Sequence, residues 1–206
     1  ELLVATTRDS PGGIRLLTLG PLTNVAMALD VDAELAGRLE SIWIMGGAVQ
    51  VAGNVAGSPG ADTDNTAAEW NIYADPAAAQ RVLESSIPIH LISLDGTNQV
   101  PVTRAFADRV RSASGTGPGL GVLQELFAEN SYMVSGSSYL WDPLAAIFAT
   151  GYEIGAFTET RVEVDTGEGP TSGATRQVDG DPNVSYLSQA ESAAAEAILL
   201  QVLAGQ

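Results

Sequence analysis

Three polar side chains of short reach, Asn54, Glu69 and Asn71, lie in a stretch of the chain that is otherwise rich in small residues. The stretch follows the turn Met45-Gly46-Gly47, and Trp70 stands between Glu69 and Asn71. A carboxylate between carboxamides offers acceptors and donors together, which suits the vicinal hydroxyls of a sugar because each hydroxyl both donates and accepts. Trp70 adds an apolar plane on which a sugar or base can lie. The alternative is structural, since Asn and Asp in glycine-rich loops often bond only to their own backbone.

A second candidate is Asp142, in the segment Tyr139-Leu140-Trp141-Asp142-Pro143. Aspartate followed by proline is typical of a helix start, with the carboxylate as the N-cap. A carboxylate there also suits a hard cation, because calcium takes oxygen donors from scattered loops. The residues alone leave both roles open.

Two other polar features are interpreted as structural. Asp62-Thr63-Asp64-Asn65 resembles the start of an EF-hand loop, but the glycine and the closing glutamate are missing at their required offsets. His90, the only histidine, lies in the apolar run Ile87–Leu94 and is predicted to be a packed core residue rather than a base. No phosphate-loop or dinucleotide glycine pattern and no nucleophile elbow occurs.

The composition excludes several classes of function. The 206 residues carry a net charge of −16, and all nine basic residues are arginine. Such a surface repels a nucleic-acid backbone or an anionic membrane, so neither is expected as a partner. The absence of cysteine excludes a disulfide framework. The apolar runs are far shorter than a membrane span, and no basic leader opens the chain; we expect a cytoplasmic protein, with secretion left open if a targeting segment lies upstream.

Apolar strands alternate with helical stretches along most of the chain. This alternation predicts an α/β fold of the Rossmann-like kind, with a mostly parallel sheet, right-handed crossovers and flanking helices, in one domain over residues 1–206. The predicted strands are Ile14–Thr18, Ser41–Met45, Pro88–Leu94, Arg161–Asp165 and Thr175–Val178, the last two antiparallel. The predicted helices are Leu2–Thr7, Asn24–Leu39, Ala77–Leu83 with Asp75 as N-cap, Val102–Ala113, Leu120–Tyr132, Asp142–Thr150 and Gln189–Leu203, and residues 48–68 are predicted to form a long irregular loop.

The predicted sheet is small for this fold. A doubly wound sheet normally opens with a strand and its loop, whereas this sequence opens in a helix. Either the fold is complete and modest, or its first strands belong to another polypeptide, and the pattern favours the second.

Six short motifs resemble the inosine–uridine-preferring nucleoside hydrolases, in the order of that family and over nearly all of the chain. Each motif is weak by itself, but six in register are specific, and the part of the family that they resemble is its C-terminal two thirds. The motifs are Thr18-Leu19-Gly20-Pro21-Leu22-Thr23-Asn24, Ile44-Met45-Gly46-Gly47, Gly53-Asn54-Val55, Ala68-Glu69-Trp70-Asn71-Ile72-Tyr73-Ala74-Asp75-Pro76, Leu94-Asp95-Gly96-Thr97-Asn98 and Trp141-Asp142-Pro143-Leu144-Ala145-Ala146.

The resemblance implies a calcium-dependent hydrolase that cleaves the N-glycosidic bond of ribonucleosides. It implies that Asn54, Glu69 and Asn71 hold ribose hydroxyls. Trp70 would pack beside the ribose, and Met45 would lie near it. The resemblance also assigns two calcium ligands, the carboxylate of Asp142 and the backbone carbonyl of Leu19.

The sequence departs from the family pattern in three places. Trp141 stands where many members carry a histidine that donates a proton to the leaving base; an indole cannot do this, but it can stack on a base. The segment Gly57–Asn65 resembles an insertion that shapes the base pocket. The family's N-terminal signature, Asp-x-Asp-Pro-Gly-x-Asp-Asp, which supplies calcium ligands and the general base, is absent, so no catalytic residue is assigned within this chain.

Three interpretations follow from that absence. The leading one is that an N-terminal segment or a second chain supplies the first strands and the aspartates, in a homo- or hetero-oligomer, and that the isolated chain is inactive. The second is a non-catalytic nucleoside- or ribose-binding module or regulatory subunit with the same fold. The third, a structural derivative without a ligand, is disfavoured by the presence of Asn54, Glu69 and Asn71.

Overall fold

A computed structural model describes residues 1–10, 12–58, 60–134 and 136–205 of the chain. Strands and helices alternate through most of these residues, as predicted. The strands are β1 Ile14–Thr18, β2 Leu39–Met45, β3 Ile89–Ile92, β4 Gly155–Val164, β5 Thr175–Val178 and β6 Val184–Ala190. The α-helices are α1 Leu2–Asp9, α2 Thr23–Val31, α3 Trp70–Ala74, α4 Pro76–Leu83, α5 Leu94–Thr97, α6 Arg104–Ser112, α7 Pro118–Glu129, α8 Trp141–Ala149 and α9 Ser192–Ala204, with short 3₁₀ helices at Leu35–Arg38 and Ser131–Val134.

The described strands form one mixed sheet in the order β1-β2-β3-β6-β4-β5. The first four of these strands run parallel, and β4 is antiparallel to both of its neighbours. The predicted α/β class with a mostly parallel sheet is therefore confirmed, and so is the antiparallel pairing of Thr175–Val178 with the strand before it. In this sheet β1 is an edge strand.

Side chains of alternate residues in β2 enter two separate cores. Ile42 and Ile44 pack on the face covered by α2 and α4. Trp43 and Met45 point to the other face, which α8 covers and where the core also includes residues of α6, α7 and α9. Two covered faces explain why the parallel strands are continuous apolar runs in the sequence.

One predicted helix is wrong at its C-terminal half. The predicted helix Asn24–Leu39 ends at Val31, and Leu39 already belongs to β2. The cause is Asp32, whose carboxylate accepts hydrogen bonds from Arg8, from Arg38 and from the backbone N–H of Glu34. Such a local bond to the backbone two residues ahead competes with helical hydrogen bonding and ends the helix.

The strand β6 was missed, and the last helix was predicted to begin too early. Gln189 and Ala190 belong to β6, and α9 begins at Ser192. The polar residues Ser185, Ser188 and Gln189 break the apolar pattern by which a buried strand is recognised. Pairing with β3 and β4 stabilises this strand through contacts distant in sequence.

No helix in the described part of the chain is both long enough and apolar enough to cross a membrane. The parallel strands instead end together at one edge of the sheet. The loops after β1 and β2 and the short helix after β3 therefore lie beside one another, at the edge where open α/β sheets bind ligands.

Candidate functional site

A cavity of about 430 Å³ lies at the carboxyl ends of β1 and β2. This volume is in the range of sites for small molecules. All eight residues that the sequence singled out for substrate or metal binding line it, together with Ser58, which the sequence did not indicate. The lining residues are Leu19, Met45, Asn54, Ser58, Glu69, Trp70, Asn71, Trp141 and Asp142.

Glu69 is the most deeply buried polar residue of the cavity wall, with 2% of its surface exposed. It is the N-cap of α3, and its Oε2 accepts hydrogen bonds from the backbone N–H groups of Asn71 (2.9 Å) and Ile72 (3.2 Å). The same oxygen accepts from the backbone N–H of Gly47 (3.2 Å), at the end of β2. Among the described residues no donor uses Oε1, which leaves that oxygen available to a ligand.

Burial raises the pKa of Glu69 above the usual value of a glutamate. The three backbone N–H groups oppose this change because they stabilise the carboxylate, and the nearby negative charge of Asp142 adds to it. The pKa of Asp142 is also raised, by desolvation in the cavity wall, although its side chain is accessible to water. The two acidic groups therefore act on one another electrostatically across the same cavity.

Each carboxamide of the site is held at one end only. Asn54 Oδ1 accepts from the backbone N–H of Trp70 (2.9 Å), and Asn71 Nδ2 donates to the carbonyl of Met45 (3.0 Å). The described residues leave Asn54 Nδ2, a donor, and Asn71 Oδ1, an acceptor, without hydrogen-bond partners. The structural and the ligand-binding interpretations of these two residues are thus compatible. One end of each amide bonds to the backbone, and the other end is available to a ligand.

Two glycines shape the loops that carry these side chains. Gly47 has a φ of +83°, a conformation that other residues rarely adopt, and this turn directs its N–H to Glu69. At Gly53 a Cβ would lie 2.0 Å from the carbonyl oxygen of Ala68, so the two ends of the long loop approach closely only because residue 53 has no side chain.

Residues outside the cavity fix the same loops. The carboxylate of Asp95, at the start of α5, accepts from the backbone N–H groups of Val49 (2.9 Å) and Gln50 (2.7 Å). Thr175 Oγ1, in β5, bonds to both the N–H and the carbonyl of Ala48. The motif that contains Asp95 was recognised in the sequence. The role of Asp95 in holding the neighbouring loop was not, because the residues it bonds to lie some 45 positions away in the sequence.

Asp142 is not a helix N-cap, contrary to the structural alternative for this residue. The helix α8 begins at Trp141, its N-cap position is Leu140, and no side chain caps it. Asp142 instead lines the cavity, as Leu19 does. Proline at the third position of the helix accounts for the misleading pattern, because the N–H groups of the whole first turn have no acceptor within the helix and a proline there removes no hydrogen bond.

The resemblance assigns to calcium the carboxylate of Asp142 and the backbone carbonyl of Leu19, and both residues line the cavity. In the described part of the chain no group of three or more His, Cys, Asp or Glu side chains is placed to hold a metal ion. Calcium takes six to eight oxygens. These residues therefore fit one side of a calcium site and do not complete it.

Two tryptophans form flat walls of the cavity. Trp70 is 36% exposed and lies tilted against Tyr73, with ring centroids 6.3 Å apart. Trp141 lines both the cavity and an apolar groove of about 700 Å³ beside α7. Its Nε1 is buried and has no hydrogen-bond partner among the described residues.

Ser58 is the lining residue that the sequence did not reveal. It belongs to the segment Gly57–Asn65, which was interpreted as an insertion near the base pocket. A serine in a loop of small residues carries no signal that separates it from its neighbours. Only the fold of the loop shows that Ser58, rather than Thr63 or Thr66, lines the cavity.

Comparison with known proteins gives this geometry a context. A family model described as inosine-uridine preferring nucleoside hydrolase matches residues 1–197. An uncharacterised protein of Schizosaccharomyces pombe is 32% identical over 171 residues, which are 81% of this chain and 52% of that protein. The pyrimidine-specific ribonucleoside hydrolase RihA of Salmonella arizonae is 38% identical over 112 residues, or 54% of this chain and 33% of that protein. The chain thus spans from a third to about half of these relatives.

Solved structures share the fold over almost the entire chain. A plant nucleoside hydrolase, PpNRh1, superposes with a TM-score of 0.83 at 26% identity, covering 100% of this chain and 66% of that one. The inosine-uridine preferring nucleoside hydrolase of Bacillus anthracis gives 0.82 at 31% identity, covering 98% of this chain and 64% of that one.

Proposed function

This chain belongs to the inosine-uridine preferring nucleoside hydrolase family, and we propose that it forms the ribose-binding part of an enzyme that hydrolyses the N-glycosidic bond of ribonucleosides to ribose and free base. The observation that carries the proposal is the set of side chains anchored at one end and unused at the other, Asn54, Glu69 and Asn71, in one cavity with Asp142.

The free ends of these side chains match a ribose. Glu69 Oε1 and Asn71 Oδ1 accept hydrogen bonds, and Asn54 Nδ2 donates one, so the cavity presents both partners that hydroxyls require. All three side chains are fixed by backbone contacts, which lowers the entropy that binding costs. Trp70 provides an apolar surface beside the sugar, and Trp141 provides one on which the base stacks.

The negative charge of the cavity suits the reaction. Departure of the base leaves positive charge on the ribosyl group, and the carboxylates of Glu69 and Asp142 stabilise it electrostatically. Asp142 and the carbonyl of Leu19 would hold one side of a calcium ion, which when bound supplies an acidified water to the reaction. Ribose hydroxyls oriented by Asn71 and Glu69 would complete part of its oxygen shell.

The remaining calcium ligands and the general base are proposed to come from a segment upstream of this sequence or from a second chain. The edge position of β1 supports this, because its outer backbone groups are available to pair with a further strand. The incomplete oxygen set around Asp142 supports it as well, since calcium bound by one carboxylate and one carbonyl would be weak.

The test uses the full-length gene product and measures release of free base from inosine and uridine by chromatography. We expect release that a chelator abolishes and added calcium restores. Asp142→Asn should lower the rate by on the order of 100-fold or more, because it removes a charged metal ligand. Asp62→Asn, which neutralises an exposed carboxylate on the neighbouring loop, is the matched control and should retain the rate.

The alternative function, a non-catalytic nucleoside-binding module, predicts a different result in the same samples. Calorimetric binding of inosine or uridine with no base released would support that module and contradict the hydrolase. An equal loss of rate in the Asp142 and Asp62 variants would contradict the specific role of Asp142.

A further inference from the structure

The long connection between Asn54 and Glu69 is a fixed part of the site. The backbone N–H of Gly53 donates to the carbonyl of Thr66 (2.7 Å), and that of Ala56 donates to the carbonyl of Asn65 (2.9 Å). Two strand-like contacts therefore close the loop near its base, so that residues on it have defined positions.

A fully buried side chain secures the far side of this loop. Asn65 Oδ1 accepts from the backbone N–H groups of Ala67 (2.9 Å) and Ala68 (3.0 Å), while its Nδ2 donates to the carbonyl of Ser172 (2.8 Å). The residue that resembled part of a calcium loop in the sequence thus ties the loop to the segment before β5. Because its side chain bonds to backbone groups on both sides, Asn65 fixes the part of the loop that precedes it.

Ser58 is held in one orientation by this scaffold. Its backbone N–H donates to the carbonyl of Val55 (3.0 Å), and its hydroxyl donates to the carbonyl of Asn54 (2.5 Å). Because the hydroxyl hydrogen is engaged there, Oγ can serve a ligand only as an acceptor, through its lone pairs. Close by in sequence, Asn54 offers the cavity a donor, Nδ2.

We propose that Ser58 is a specificity-determining residue, whose Oγ accepts a hydrogen bond from a sugar hydroxyl that receives one from Asn54 Nδ2. This rests on the proposed function of the cavity and adds a residue to it. Asn54 and Ser58 line the same cavity from one loop, and a donor and an acceptor together recognise a group that both accepts and donates. Among common sugar substituents the hydroxyl does so. A hydrogen atom or a fully ionised phosphate ester at that carbon leaves Ser58 Oγ without its donor.

The experiment measures dissociation constants by calorimetry and kcat/KM by base release for the full-length protein and its Ser58→Ala variant. The ligands are inosine and its 2′-deoxy, 3′-deoxy and 5′-deoxy analogues. Loss of one neutral hydrogen bond should weaken binding of inosine about three- to tenfold. For one of the deoxy analogues, the one that lacks the contacted hydroxyl, the same substitution should have no effect.

The control is Ser112→Ala, which removes an exposed hydroxyl that also donates to backbone carbonyls, far along the chain in α6. It should leave all four ligands unaffected. An equal weakening of all four ligands by Ser58→Ala would mean that the hydroxyl only supports the loop, and this would overturn the proposal; so would no weakening at all.

The outcomes separate this inference from the function on which it rests. Binding without base release would contradict the proposed hydrolase function. The dissociation constants of the wild-type and Ser58→Ala proteins would still test the role of Ser58. Base release that is insensitive to Ser58→Ala supports the hydrolase and contradicts the role of Ser58. If the wild-type protein binds none of the four nucleosides, both are wrong.

Discussion

The parallel strands of this protein carry a cavity at each end. The candidate site lies at their carboxyl ends, and a second cavity lies at their amino ends, on the face of the sheet that carries Trp43. We call the second one the aromatic cavity; it has a volume of about 570 Å³ and is lined by Arg15, Glu40, Ser41, Trp43, Pro88, His90, Phe148, Gly151, Tyr152, Glu153, Gly155, Phe157 and Ser185.

The aromatic cavity is the larger of the two, and two pairs of its polar side chains bond to each other. Trp43 Nε1 donates to Ser41 Oγ (3.0 Å), and the guanidinium of Arg15 pairs with Glu40 (2.7 Å). The rings of Trp43 and His90 stack at 4.0 Å. In the candidate site, by contrast, Asn54, Glu69 and Asn71 are each fixed to the backbone by one polar atom and have another without a partner among the described residues. The difference teaches that side chains anchored to the backbone with a polar atom to spare, more than volume, mark the candidate binding site.

Among substitutions that test the difference between the two cavities, we expect the largest effect for Glu69→Ala. The substitution leaves three backbone N–H groups without their acceptor and removes the cap of α3, which should lower the free energy of unfolding by about 3 kcal/mol. It should also lower nucleoside binding and hydrolysis by on the order of 100-fold, because a charged hydrogen-bond partner is lost. Chemical denaturation and calorimetry measure the two effects.

Asp75→Ala provides the matched control for that substitution. Asp75 caps the next helix by accepting from the backbone N–H of Ala78 (3.0 Å), but it does not line the cavity. It should destabilise the protein by about 1 kcal/mol and leave binding by the folded fraction intact. If both variants lost binding equally, Glu69 would serve only to cap its helix.

The second prediction compares the loss of one tryptophan from each cavity. Trp43→Ala removes a half-buried ring from the aromatic cavity and should lower the free energy of unfolding by about 2 kcal/mol without changing nucleoside affinity. Trp70→Ala, in the candidate site, should weaken nucleoside binding and should lower the free energy of unfolding by less than Trp43→Ala does. A loss of affinity in the Trp43 variant, measured at a temperature where it is fully folded, would show that the aromatic cavity also contributes to binding.

A third and smaller effect is expected for Asn71→Ala. The side chain is fixed by Met45 and offers Oδ1 to the ligand, so its loss should weaken nucleoside binding about tenfold. Asn130→Ala is the control, because Asn130 likewise donates to a backbone carbonyl, that of Leu126, but does not line the cavity. Equal dissociation constants for wild-type and Asn71→Ala protein would contradict the role of Oδ1.

The site was more predictable from the sequence than the sheet that carries it. Asn54, Glu69 and Asn71 stand out because their residue types and their common neighbourhood indicate one chemistry, and Asp142 joins them through a recognisable motif. The strand β6 and the role of Asp95 could not be predicted in the same way, since both depend on partners from distant parts of the chain. Ser58 was missed because a serine in a loop is unremarkable until the loop is folded.

The smallest predicted effect concerns the pH dependence of stability in the aromatic cavity. Desolvation, and then the positive charge of Arg15, hold the pKa of His90 below its ordinary value. The unfolded chain therefore takes up this proton near pH 6.5, whereas the folded protein takes it up only at lower pH. The contribution of His90 to the free energy of unfolding is fully present above pH 6.5 and is lost as the pH falls below that value, because the unfolded state then binds more protons.

His90→Phe isolates this contribution, because phenylalanine does not titrate and keeps a ring against Trp43. Between pH 7.5 and pH 5.5 the melting temperature of the wild-type protein should fall by more than that of the variant, as measured by differential scanning calorimetry. The raised pKa values of Glu69 and Asp142 act in the opposite direction, since protonation then favours the folded state, but they are common to both proteins and cancel in the difference. Identical changes in the two proteins would mean that His90 takes up its proton as readily in the folded protein as in the unfolded chain, and would contradict its desolvation in the aromatic cavity.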